Sequence, residues 1–461
     1  MLNLFYLAAA IGFIFALKML ASPKSAVIGN ITGALGMLVA IVATLYAGGV
    51  VDFPTVLVGM AVGSFFGLLL ALFTPMTAMP EMVGLLNGFG GAASALVASA
   101  ELVRLHNRPE ETMGLVNIVA IALALLIGWL TFSGSIVAFL RLREWILGGR
   151  PTLFPGQHWL NLVTFLAAIV AGYFLVKEPI VGKPFYILSG LAFLLGIGLT
   201  IPIGGADMPV VISLLNSYSG MAACTTGFVL NNNGLIISGS LVGASGIILT
   251  NIMCKAMNRS FTNVLFGGFG ATVQEVGAAG PAGPKTVRRG DAEEAAMILE
   301  SARSVVIAPG YGMAVAQAQH AVKELADELT KRGIDVKYAI HPVAGRMPGH
   351  MNVLLAEAQV PYEQLWEMDK INPLFSETDV VLVIGANDVV NPAARTDSTS
   401  PIFGMPILDV DRARTVMVIK RSLNPGFAGI DNPLYYLPNT MMLFGDAKKM
   451  ALSLAEALRQ L

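Results

Sequence analysis

The stretch Ser304-Val-Val-Ile-Ala-Pro-Gly-Tyr-Gly-Met-Ala-Val315 decides how the second half of this 461-residue chain folds. A short run rich in β-branched residues ends at Pro309. Gly310 and Gly312 follow, and then an Ala-rich helical pattern runs through His320 to Lys331. Strand, glycine turn and helix form the context in which a G-x-G spacing carries chemistry. The glycines let the backbone turn tightly and approach a pyrophosphate, and the helix start offers free N–H groups and a positive dipole end. Val315 stands where the usual fingerprint has a third glycine. By itself the stretch therefore leaves two readings, a dinucleotide site or an ordinary tight βα turn.

Around it the pattern alternates strand and helix, which predicts a Rossmann-like α/β domain with a parallel sheet. Strands are expected at 304–308, 335–340, near 360, 379–384, 407–410, 415–419 and 441–444. Helices are expected over 312–331, ending at Gly333, and over 351–358. Ligands bind such sheets at the C-terminal ends of the strands, and four informative stretches fall there. They are Gly310-Tyr311-Gly312-Met313-Ala314-Val315, then Gly345-Arg346-Met347 within 345–350, then Gly385-Ala386-Asn387-Asp388. The fourth runs from Lys420-Arg421-Ser422 to Gly426-Phe427-Ala428-Gly429. Strand 335–340 ends without the acid that takes a ribose 2′-hydroxyl in an NAD site. Lys420 and Arg421 instead offer adjacent cations, which favours NADP over NAD. The plain alternative for that pair is a solvated strand end. Arg346 is a second cation for pyrophosphate or ribose. Asp388 is a candidate for a ribose or carboxamide contact or a proton-linked switch, or else a turn-forming residue.

Composition sets this half apart from the rest. The chain is 55% hydrophobic and 13% charged, too apolar for an ordinary soluble protein. Of its 59 charged residues, 19 lie in residues 1–260 and 40 in the last 201. Residues 1–260 are expected to be a membrane domain, 261–291 a Gly/Pro-rich linker, and 292–461 the soluble domain. Nine spanning helices are expected, at 2–21, 27–48, 54–73, 81–103, 113–140, 160–176, 184–201, 209–230 and 234–257. The first reads as a span with Lys18 at its end rather than a cleaved signal, because no positive segment precedes it. An odd number of spans puts the chain ends on opposite sides. Lys18, Lys24, Arg141, Arg143, Arg150, Lys255 and Arg259 then share a side with the soluble domain, against Arg104, Arg108, Lys177 and Lys183 on the other. That asymmetry favours a cytoplasmic soluble domain. The net charge of −1 gives no sign of nucleic-acid binding. Cys224 and Cys254 read as small hydrophobes, with no metal role.

Polar residues inside the spans carry two readings. Asn87 and Asn216 either mark a pathway or hydrogen-bond between helices. Glu81 and Asp207, near helix starts, mark a pathway or cap those helices. No histidine falls in an expected span. His106 and His158 lie in loops, so this chain does not supply a histidine for a proton relay.

Several runs resemble the β subunit of the proton-translocating NAD(P)+ transhydrogenases, essentially end to end. In the first half they are Met79-Pro-Glu-Met82, Gly204-Gly-Ala-Asp-Met-Pro-Val-Val211, Asn216-Ser-Tyr-Ser-Gly220 and Ile252-Met-Cys-Lys-Ala-Met-Asn-Arg-Ser260. In the second they are Ala308–Gln319, His341-Pro-Val-Ala-Gly-Arg-Met-Pro-Gly-His-Met-Asn352, Gly385–Asp388 and Lys420–Ser422. The resemblance implies a soluble domain that holds NADP(H) and a partner alpha subunit that brings NAD(H) against it. Hydride would pass directly from NADH to NADP+ (Re/Si-specific), coupled to proton movement. Tyr311 and its glycines would cover the pyrophosphate, Lys420 and Arg421 would take the 2′-phosphate, and Lys420–Gly429 would form a lid. Asp388 matches a residue linked to coupling and is the candidate catalytic group. Asn87 matches a position where some members carry a proton-conducting histidine, so the resemblance puts the titrating group in the partner. Asn87, Asn216, Asp207 and Ser245 are the candidate proton-pathway residues, Ser245 lying in the flexible part of a pore-lining helix. The alpha partner would comprise one or two polypeptides with further membrane helices, and two protomers would pair. The location implied is the bacterial inner membrane, with the nucleotide domain cytoplasmic. The alternative is a secondary transporter or channel with a nucleotide-sensing domain.

Overall fold

In the computed structural model the described residues are 2–20, 22–46, 53–108, 113–143, 145, 152, 154–204, 207–258 and 286–461. Two compact units emerge, one holding most of residues 1–250 and the other most of residues 251–461. The part of the expected linker at 261–285 lies outside the described residues.

The first unit is built of long apolar helices: α1 (Leu2–Leu20), α2 (Pro23–Tyr46), α3 (Phe53–Phe73), α4 (Met79–Asn107), α5 (Leu115–Leu142), α6 (Gln157–Lys177), α7 (Lys183–Thr200), α8 (Met208–Val229) and α9 (Asn233–Ala256). Each coincides with an expected span. Among the described residues, eight are long and apolar enough to cross a bilayer. α8 is the exception to the expected nine. It has the length, but Ser213, Asn216, Ser217, Ser219, Thr225 and Thr226 lower its hydropathy. Small residues set the packing. A Cβ on Gly91 of α4 would sit 2.7 Å from the Gly128 oxygen of α5, so these backbones touch because neither side chain intervenes. α8 and α9 approach as closely at Gly220 and Gly243. Arg141, at the end of α5, is fully buried; it donates to the Ile203 carbonyl at 3.2 Å and to Thr152 Oγ1 at 3.0 Å.

The second unit holds a seven-stranded parallel sheet. Its strands are β1 (Arg288–Arg289), β2 (Ser304–Pro309), β3 (Asp335–Ile340), β4 (Leu365–Glu367), β5 (Val380–Ile384), β6 (Thr415–Lys420) and β7 (Thr440–Phe444). Their order is β1-β7-β6-β5-β2-β3-β4. Successive residues bury into opposite layers. Val305 and Ile307 join the core under the helices Ala292–Glu300, Gln319–Lys331 and Ala447–Gln460. Val306 and Ala308 join the core on the other face with Phe375, Val390 and Tyr435. Burial on both faces explains why these strands read as continuous apolar runs. The helix Gln319–Lys331 presents Val322, Leu325, Ala326 and Leu329 to the sheet, and each fully buried large side chain contributes about 1.5–3 kcal/mol.

Five expectations are corrected. His106 and His158, expected in loops, lie inside the last turn of α4 and the first turn of α6, because both helices run a few residues beyond their apolar stretches. The single helix over 312–331 is two, Tyr311–Val315 and Gln319–Lys331, because Gln317 turns into the left-handed region at φ 48° and ends the first. The strand near 360 begins at Leu365; Gln359 at φ 57° and Pro361 finish a helix there instead. Residues 407–410 form no strand, since the Asn372 side chain takes Ile407 O (2.9 Å) and Asp409 N (3.2 Å) in place of a ladder partner. Finally, β1 lies inside the segment read as linker and pairs with β7.

Candidate functional site

From β2 the chain steps outward to β3 and β4, then returns to the other side of β2 as β5. The order therefore reverses between β2 and β5, and in an open parallel sheet that is where a crevice opens. The loops leaving these two strands interlock. Gly310 N donates to Ile384 O at 2.9 Å, and Gly312 N donates to Gly385 O at 2.8 Å. A Cβ on Gly312 would lie 2.7 Å from Gly385 Cα, and Gly385 itself has φ 64°. No larger residue fits either place without moving backbone. Val315, at the third-glycine position, is 48% exposed. The short helix ends there, so the close helix–strand packing that calls for a third glycine does not arise.

A cleft of about 540 Å³ lies over these strand ends. Its lining draws on all four expected stretches: Gly310, Tyr311, Gly312 and Val315; Gly345; Gly385 to Asp388; and Lys420 to Ser422 with Gly426 and Phe427. Two further expected residues, Arg346 and Ala428, act at its edge. Arg346 stacks its guanidinium over the Tyr311 ring at 4.5 Å, and the Phe427 ring lies 5.6 Å from Tyr311 on another loop. Ala428 donates its N–H to Asp388 Oδ2 at 3.0 Å. Met347 is buried, Gly429 lies outside the lining, and Met313 and Ala314 point into the core.

Asp388 sits under the 420–429 loop. Its Oδ1 is buried without a hydrogen-bond partner, and burial holds its carboxyl above the ordinary range, against the Ala428 N–H and Lys420. Lys420 is half-buried, and burial lowers its ammonium pKa while Asp388 and Asp431 oppose that. Its Nζ donates to Asn424 O. One end of the Asn387 amide lies 2.6 Å from Gly426 N and 3.1 Å from Lys420 Nζ, and the other lies 2.9 Å from the Tyr435 hydroxyl. Two donors at one end select the amide oxygen there. Arg421 is exposed and has no hydrogen bond or ion pair among the described residues.

Behind the crevice two imidazoles are buried and neutral. His341 Nε2 meets Pro406 O at 2.9 Å and its Nδ1 accepts from Val343 N at 3.2 Å. His350 Nδ1 accepts from Arg346 N at 3.0 Å. Burial lowers both pKa values to about 4.

Sequence reasoning placed Asn424 and Pro425 only within the lid stretch, and it missed Val343, Ala344 and the loop Gly445-Asp446-Ala447. The last carried a signal, a glycine and a capping acid directly after an expected strand. Tyr435 and Asn432, which brace Asn387 from behind, carried none.

In the helical unit, Asn87 Nδ2 of α4 donates to Ile212 O of α8 at 3.2 Å. Asn216 is half-buried on α8, and Ser245 Oγ turns onto its own helix at Val242 O, 3.1 Å. Asp207 directly precedes α8, and Glu81 lies buried in the first turn of α4. Ser217 Oγ and Ser213 Oγ, not singled out from sequence, donate to Gly243 O (2.7 Å) and Gly246 O (3.3 Å) of α9.

The comparisons with known proteins agree with this architecture. A family model described as NAD(P) transhydrogenase beta subunit matches residues 2–457. Two relatives from Rhodospirillum rubrum, both named NAD(P) transhydrogenase subunit beta, are each 50% identical over 457 residues, covering 98% of this chain and 98% of their own. With its apolar helices, its parallel sheet and a match over nearly its whole length, the chain belongs to the NAD(P) transhydrogenase beta subunit family.

Proposed function

We propose that this chain holds NADP(H) in the cleft of residues 292–461, that an alpha subunit carrying NAD(H) docks against it, and that hydride passes from NADH to NADP+ in step with proton movement through residues 1–260. The observation that carries the choice of NADP(H) is the cation pair at the end of β6. Arg421 stands exposed without a partner among the described residues, Lys420 lies beside it, and the end of β3 offers no acid for a ribose hydroxyl. A planar guanidinium beside an ammonium suits the 2′-phosphate. The cleft volume lies within the range that small-molecule sites occupy.

Bound there, NADP(H) supplies the hydride chemistry, and the protein supplies binding, orientation and exclusion of water. Gly310, Gly312 and Gly385 keep side chains away from the pyrophosphate. Tyr311 and Phe427 cover it, with Arg346 behind Tyr311. Asp388 links the site to protons. Its carboxylate ties the 420–429 loop through Ala428 N–H, and protonation removes the charge that faces Lys420. The segment that precedes β1 joins this domain to the membrane domain.

Moving one charge through about 100 mV releases about 2.3 kcal/mol. A tenfold change in a ratio takes about 1.4 kcal/mol. One proton per hydride thus shifts the NADPH/NADP+ balance about 50-fold, through a change in how the site holds or releases its nucleotide. The Lys and Arg asymmetry supports a cytoplasmic nucleotide domain on a bacterial inner membrane. Asn87 in place of a histidine supports a titrating group on the partner.

The test is binding of NADP+ and NAD+ to the purified full chain, followed by NADH-to-NADP+ hydride transfer in vesicles with a candidate alpha subunit. The expected result is preference for NADP+ and transfer accompanied by a pH change in the vesicle lumen. A chain that binds neither nucleotide, or prefers NAD+, removes the reading.

A further inference from the structure

Lys420 ends β6 and Asn387 lies on the loop after β5, and neither segment by itself explains how they hold together. The Tyr435 side chain is 1% exposed and lies outside the cleft lining. It touches both residues. Lys420 Nζ sits 4.9 Å from the centre of its ring, and its hydroxyl lies 2.9 Å from the Asn387 amide. The opposite end of that amide lies 3.1 Å from the same Lys420 Nζ, so the three groups close a triangle. Asn432 fixes the base of the triangle. Its Nδ2 donates to Asn387 O at 3.1 Å, and its Oδ1 accepts from Leu434 N at 3.0 Å.

An ammonium has three protons and a flexible four-carbon stem. Asn424 O takes one proton and the Asn387 amide oxygen another. The ring face beneath holds the charge by its quadrupole. A third proton is left for an incoming oxygen.

We propose that Tyr435 is a positioning residue for nucleotide specificity: its ring carries the Lys420 ammonium and its hydroxyl locks the Asn387 amide, so that Lys420 meets the 2′-phosphate in one fixed place. The inference rests on the NADP(H) reading of this cleft.

The experiment compares the full chain with Tyr435→Phe and Tyr436→Phe, titrating each with NADP+ and with NAD+. Tyr435→Phe keeps the ring and its volume, so the core stays filled. Tyr436→Phe removes a neighbouring hydroxyl that donates instead to Asp431 Oδ1. Tyr435→Phe is expected to weaken NADP+ about 5-fold, the effect of one lost hydrogen bond, and to leave NAD+ and the Tyr436→Phe chain within about 2-fold of the parent. Equal weakening of both nucleotides marks a merely structural role and overturns the proposal, as does unchanged NADP+ affinity. A parent chain that does not bind NADP+ overturns the function reading and this inference with it. A parent that binds, with a Tyr435→Phe chain that matches it, overturns this inference alone.

Discussion

The α4–α8–α9 contact and the nucleotide cleft treat their polar groups in opposite ways. Between α4, α8 and α9, side-chain donors are spent on backbone carbonyls of the neighbouring helix: Asn87 on Ile212, Ser217 on Gly243, Ser213 on Gly246. At the strand ends of the sheet, capacity is left over. Asp388 Oδ1 is buried without a partner, and Arg421 has no ion pair among the described residues. In a bilayer a polar group without a partner has no water to fall back on, and these three side chains are satisfied by the neighbouring helix. Elsewhere in the helical unit, Trp129 Nε1, Ser135 Oγ and Ser189 Oγ are buried without a partner among the described residues. A ligand cleft keeps its polar groups for a guest. The difference teaches that polar residues at membrane depth need not be pathway residues, whereas unspent groups in the cleft point to a ligand.

The largest test of this contrast uses acid. His341 and His350 are held neutral, with pKa values near 4 against 6.5 for an ordinary imidazole. Below about 6.5 the unfolded chain therefore binds more protons than the folded one. The stability they contribute is full above that pH and is lost as pH falls toward 4, by about 3 kcal/mol for each imidazole. No histidine lies in α1–α9 except His106, near the end of α4, and His158, in the first turn of α6. Calorimetry of the full chain between pH 7 and pH 4 should show the nucleotide half melting first, and helices that melt first would break the contrast.

Gly385→Val comes next. A β-branched residue at φ 64° costs about 3 kcal/mol, and its Cβ would collide with the backbone at Gly312. Nucleotide binding should disappear while the helical transition stays put. Arg421→Ala should weaken NADP+ by about 2 kcal/mol, or about 30-fold, and NAD+ far less. Equal losses in the two titrations would remove Arg421 from the 2′-phosphate. Asn87→Ala is the smallest change. One interhelical hydrogen bond in a membrane is worth about 0.6 kcal/mol, so the helical midpoint should fall slightly. If the coupled pH change in the vesicles stops while that midpoint holds, Asn87 belongs to the pathway and the contrast is sharpened at that one residue.

Much of this was legible in the residues. Among the described residues the nine long helices coincide with the expected spans, and all but α8 are apolar enough to cross a bilayer, because such a segment announces itself locally. The strands β2, β3, β5, β6 and β7 were legible from short apolar runs, and four of the cleft's loops from the glycines and charges that follow them. The errors fall where a side chain far along the chain intervened. Asn372 takes the backbone of Ile407 and Asp409, which propensity alone had made a strand. Arg288 and Arg289 pair with β7, about 150 residues later. Tyr435 and Asn432 brace Asn387 across more than forty residues.

The sequence by itself determined the two halves, the parallel sheet and the chemical character of its strand ends, since hydrophobic period and glycine spacing act over a few residues. Only the tertiary structure decided which groups are spent and which remain available. That outcome depends on distances between residues far apart in the chain: the Gly312–Gly385 contact that shuts out side chains, the Asn87 bond to Ile212, and the ring beneath Lys420. The glycine turn after β2 proposed a nucleotide, and the strand order placed that turn at the one crossing where the loops of β2 and β5 interlock.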